Sequence, residues 1–131
     1  DLTELDVTYP TLTVITTRVF LLENRPLLKR FLKGLATGIQ QYKTEPQAGI
    51  NFQMKQFKLP AEDGEIGYRA SVKALAPMLQ LPNQAALDVA LKEIALRVEK
   101  ARTMNVRDLR VVDETLRNEL VKEGFIDQLG K

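Results

Sequence analysis

Leu12–Lys43 reads LTVITTRVFLLENRPLLKRFLKGLATGIQQYK, and its period changes part-way along. Leu12–Thr17 is β-branched, with Val14 and Ile15 among Thr13, Thr16 and Thr17. Branching at Cβ restricts χ1 in a helix and suits a pleated strand, so this run is expected to be a strand. From Leu28 onward, Phe31 or Leu32, Leu35, Ile39 and Tyr42 recur every three or four residues, as on one face of a helix. Asn24 can cap that helix, and Pro26 sits in its first turn, where a missing N–H costs nothing. The spacing predicts a helix over Pro26–Lys43. Gly34 and Gly38, four apart, share one side of it, which predicts close packing against a neighbouring element.

Upstream, Leu5, Val7 and Tyr9 alternate with Asp6 and Thr8, an extended pattern that ends at Pro10. Val19–Leu22 reads as a single helical turn. Downstream, Thr44-Glu45-Pro46 restarts the chain, with Thr44 as cap, and a helix follows over Pro46–Phe57 with Ile50, Met54 and Phe57 on one face. Asp63-Gly64 signals a turn or cap before a helix over Ile66–Leu75, and Pro77 breaks the chain. Asn83–Ala101 has the clearest stripe: Leu87, Leu91, Ile94, Val98 and Ala101. Thr103–Leu109 reads as a polar connection. Asp113 caps a last helix, Glu114–Glu123, closed by Gly124 with Phe125 placed to touch Leu120. The resulting fold class is mostly α with one or two strands. A single strand cannot satisfy its own ladder, so Val14 and Ile15 imply missing sheet neighbours, either more of a larger chain or a second copy.

The chain has 131 residues, the size of one domain or part of one, and a net charge of +2 with Lys and Arg dispersed among Asp and Glu. So small a charge is no nucleic-acid footprint, and no nucleic-acid partner is expected. Without Cys or His, the sequence has no thiol nucleophile, disulfide, thiolate zinc site or imidazole acid–base catalyst. No metal and no cofactor are expected. No apolar run reaches membrane-spanning length. The chain opens at Asp1 without Met, which reads as a processed product or a fragment.

Sites for catalysis are sparse. The carboxylate groups Glu62/Asp63/Glu65 and Asp113/Glu114 stand where helices begin, where acids face the positive helix end. Ser71, the only serine, has Lys73 two residues on, a spacing that points two helical side chains apart. Lys29, Arg30 and Lys33 read as a solvated helix face. Arg18, at the end of the strand, is placed for a structural salt bridge or, facing a cleft, for an anionic group.

The order of elements resembles the C-terminal part of the periplasmic solute-binding proteins of ABC importers, in the nitrate/sulfonate/taurine-type group. Phe20 through Tyr42 is similar to that group's FLxENPxLVKRFLKAxxxGxxY helix, with Arg25 inserted between Asn24 and Pro26. Thr44, Glu45, Pro46, Gln47 and Ala48 match its TNPEEA restart, and Pro82 through Ile94 loosely match a later helix. Asp113, Leu116, Glu119, Leu120, Lys122, Gly124, Phe125, Ile126, Asp127 and Leu129 match its DxSxLxELxKxGFIDxL ending. The resemblance implies a C-terminal fragment of a two-lobed α/β type II periplasmic-binding fold. Residues 1–131 would form a single partial domain, with 1–18 a crossover segment and strand and 19–131 helical. It implies capture of a small anionic or heteroaromatic nutrient by lobe closure, an extracytoplasmic, membrane-associated location, and an ABC permease as partner. The hinge would lie near Tyr9–Thr13, which puts Tyr9, Thr11 and Arg18 near the ligand cleft. No catalysis is implied, and an enzyme of pyrimidine-precursor synthesis is disfavoured without His or Cys. The alternative is a small helical interaction domain acting as a homodimer.

Overall fold

The computed structural model describes residues 13–75 and 79–129. These residues are all-helical and contain no strand. In order they form α1 (Arg18–Glu23), α2 (Arg25–Thr44), α3 (Pro46–Phe57), α4 (Ala61–Ala74), α5 (Gln84–Ala95), a 3-10 segment (Glu99–Thr103), α6 (Val106–Leu109), α7 (Thr115–Lys122) and α8 (Phe125–Leu129).

The expected α/β type II fold is therefore corrected. Residues 13–17 are irregular and exposed, Val14 by 51% and Ile15 by 87%. A β-branched run becomes a strand only where a ladder and a covering face exist. Here the described residues offer neither, and the backbone bonds close locally, within helices and turns. The second extended pattern, Leu5–Tyr9, lies outside the described residues.

The described residues divide into two compact units: 13–20 with 81–114, and 21–80 (less the undescribed 76–78) with 115–129. In the first, α5 begins at Asn83, whose side chain accepts from the Ala86 N–H at 2.8 Å, a standard cap. The chain leaves α5 at Leu96, short of the expected Ala101, and turns through the 3-10 segment to α6, which Asn105 caps through the Arg107 N–H. Ala86, Ala101 and Val106 are buried there.

The second unit joins two packings. In one, α3 and α4 meet at small residues. Gly49 lies against the Tyr68 ring, leaving no room for a Cβ, and Gly64 lies against the Met54 side chain. Asp63-Gly64 is therefore not a turn: Glu62 and Asp63 occupy the first turn of α4 behind Pro60. Buried Gln53 donates through Nε2 to Tyr42 Oη (2.8 Å) and Ser71 Oγ (3.0 Å), joining α2, α3 and α4. Tyr68 Oη donates to the Lys43 carbonyl, and its ring lies 5.1 Å from that of Tyr42. In the other packing, α2 carries α7 and α8, with Leu116, Leu120 and Ala36 buried. Gly124, at φ +71°, ends α7 in the left-handed conformation expected of it.

Candidate functional site

The best-defined polar constellation joins α2 to the end of α7. Arg25, Lys29 and Lys33 stand at four-residue spacing on α2, and Glu119 and Glu123 at the same spacing on the other strip. Arg25 donates through Nε (3.1 Å) and Nη2 to Glu119 Oε1. Lys29 reaches Glu119 Oε2 at 3.0 Å and also Glu123, and Lys33 meets Glu123 at 3.2 Å. Lys33 Nζ also sits 5.0 Å over the Phe125 ring. Five charges thus alternate along one seam.

The seam shifts its own ionisation. Hydrogen bonds from Arg25 and then Lys29 hold the Glu119 carboxyl below its ordinary value, and bonds from Lys29 and then Lys33 do the same for Glu123. Bonds to Glu123 and then Glu119 raise the Lys29 ammonium. All five side chains keep 24–43% of their surface exposed, so solvent and salt screen these pairs. The arrangement fastens helices. It places no acid and base around an enclosed space. A solvated face was expected for Lys29 and Lys33; the matching four-residue periods of cations and anions were the signal for the seam.

Of the three residues expected near a ligand cleft, Tyr9 and Thr11 lie outside the described residues. Arg18 opens α1, and its guanidinium Nη2 donates to the carbonyls of Leu109 (2.9 Å) and Arg110 (3.1 Å). It closes the C-terminal end of α6, where Arg110 turns left-handed at φ +47°. Among the described residues the guanidinium finds backbone carbonyls and no carboxylate.

The other sequence-level constellations resolve into structure. Glu65 pairs with Arg69 one turn on, at 2.5 Å. Ser71 Oγ belongs to the Gln53 network. No group of three or more Asp and Glu residues among the described residues is arranged to hold a metal ion. No helix among them is long and apolar enough to cross a membrane.

Two hollows open on the surface. One, of about 260 Å³, lies in the first unit between α5 and the 3-10 segment, beside Asp88, Lys92 and Arg102. The other, of about 190 Å³, lies at the α2–α3 elbow, with Tyr42 and Phe52 edge-to-face across it and Gly38, Gln41, Glu45 and Gly49 around it. Both are smaller than the roughly 300–1,000 Å³ of a pocket that buries a drug-sized ligand, and both are open to the surface. The elbow hollow continues an exposed face of α2 on which Gly34 and Gly38 face open space rather than the packed neighbour expected of them. Sequence spacing correctly put the two glycines on one side; what that side meets depended on chain trajectory. Comparisons with protein-family models, with curated proteins and with solved structures found no match to this chain.

Proposed function

We propose that the chain is a helical portion of the extracytoplasmic solute-binding component of an ABC importer, a protein that captures a small anionic or heteroaromatic nutrient and presents it to a membrane permease. Residues 13–17 form no strand, so no missing sheet supports this reading. What supports the reading is how the two stretches that carry the resemblance meet. Lys29 and Lys33, in the first pattern, engage Glu119 and Phe125, matched in the second, and the unmatched Glu123 between them, some 90 residues away. Leu120, matched in the second, is the largest side chain fully buried among the described residues. Two loose patterns gain weight when their matched residues form one packing.

In this reading the described residues are scaffold. Arg18 is engaged by carbonyls and both hollows lie open on the surface, so in this reading the ligand is held elsewhere in the protein. Capture couples binding to a population shift towards a closed form, which the permease recognises.

The test is a thermal-shift screen of the protein encoded by the complete reading frame, against nitrate, taurine, alkanesulfonates and thiamine-type pyrimidines. A cognate solute at about 100 times its Kd stabilises the folded state by about 2.7 kcal/mol. That amounts to a rise of several degrees in melting temperature. If no member of the panel moves the transition, the solute-capture reading is withdrawn.

A further inference from the structure

Helix α2 presents two opposite sides. Arg25, Lys29 and Ala36 share the side that carries α7. On the far side Leu27, Phe31, Gly34, Gly38 and Gln41 follow at spacings of three and four, and every one is exposed. Phe31 stands out at 51% exposure, and Leu27 precedes it at 47%. Glycine in an exposed helix is unfavourable relative to alanine. Two glycines a turn apart, with open space above both, are explained by no contact among the described residues.

The same side carries both a knob and a hole. Phe31 is the knob. Ten residues on, or ~15 Å along the helix, the elbow hollow opens between Gly38, Gln41, Tyr42 and Phe52. Its volume of about 190 Å³ suits a single aromatic ring, since a cavity of ~150 Å³ admits benzene. A two-fold interface requires both complementary features on one surface, equally far from the axis. Phe31 stands five residues before Ala36 and Gln41 five after. Charge follows the same symmetry. Arg30 and Glu45 flank the face and form no ion pair with any described residue. An antiparallel crossing at Ala36 brings each Arg30 within a turn of the other copy's Glu45.

We infer that two copies of this chain associate through this face. Their α2 helices cross antiparallel about a two-fold axis at the level of Ala36, the Phe31 of each copy sits in the elbow hollow of the other, and Gly34 and Gly38 allow the backbones to approach. The inference does not depend on solute capture. One helix pair and two rings fall at the small end of specific interfaces, so the association is weak, in the micromolar range.

Sedimentation equilibrium of the 131-residue chain, from about 5 to about 500 μM, tests it. A reversible monomer–dimer equilibrium is expected. Phe31→Ala and Gly38→Leu should each weaken it by at least ~10-fold while helicity is retained. Where the leucine variant loses helicity, Gly38→Ala, which favours the helix, takes its place. Arg30→Glu should weaken the dimer, and Arg30→Glu combined with Glu45→Arg should restore it. A chain that stays monomeric throughout overturns the inference, and so does a dimer indifferent to Phe31→Ala and Gly38→Leu.

Discussion

Replacing Leu120 with alanine tests the α2–α7–α8 packing at its centre. The side chain has no exposed surface and belongs to α7, which packs on α2 and α8. The change deletes three carbons, which at about 0.8 kcal/mol each amounts to roughly 2.4 kcal/mol of lost transfer energy. Incomplete collapse around the void adds a cavity term, bringing the total to about 3–4 kcal/mol. For a unit of this size that lowers the melting temperature by roughly 12–32 °C. Urea titration followed by far-UV circular dichroism measures the loss, and an unchanged slope with a lower midpoint confirms that it is one of stability. Leu22→Ala is the control: that side chain is 76% exposed, so its removal should stay within about 0.5 kcal/mol. A loss below about 1 kcal/mol for Leu120→Ala would refute the packing described for α7.

Further outcomes follow from single contacts. Gly49→Ala sets a methyl against the Tyr68 ring, itself held by Lys43, and should cost about 1–2 kcal/mol in the same titration despite alanine's better helix propensity; a stabilised variant would contradict the close approach of α3 and α4. Asn83→Ala removes the cap of α5 and should cost about 0.5–2 kcal/mol, and an unchanged unfolding midpoint would mean the cap is not formed in solution. The seam makes stability depend on pH. Because Glu119 and Glu123 are depressed below 4.5, their contribution is complete above that value and fades as acid carries the pH down through their folded values. Lys29, raised above 10.5, contributes below that value and loses its share at still higher pH. Thermal melts from about pH 6 to about pH 3 should therefore fall more steeply for the parent than for Glu119→Gln combined with Glu123→Gln. Parallel profiles would show the seam to be too screened to matter.

The helices were largely legible because their signals are local. Pro46 and Phe57 bound α3 as the spacing predicts, and α2 and α7 start and stop within a residue of expectation. The failures share a cause. Residues 13–17 carry β-branched composition, but a strand needs a partner that the local sequence does not encode. Asp63-Gly64 reads locally as a turn, yet the glycine is there to admit Met54, a contact made by tertiary structure. The stripe of α5 continues through Val98 to Ala101, but the chain turns away at Leu96 and leaves Ile94 and Val98 on the surface. The site fared similarly. Arg18 reads from the sequence as a salt-bridge or cleft cation, whereas its acceptors among the described residues are two carbonyls about 90 residues on, beyond the reach of local spacing.

Gln53 carries a further consequence. Both hydrogens of its amide are committed, one to a hydroxyl on α2 and one to a hydroxyl on α4. Sliding either neighbour by one turn would strand a dry amide hydrogen, a penalty that greasy contacts would not impose. The amide thus works as a registration pin: a leucine here could leave melting unchanged and still blur which of several staggered alignments the three rods adopt.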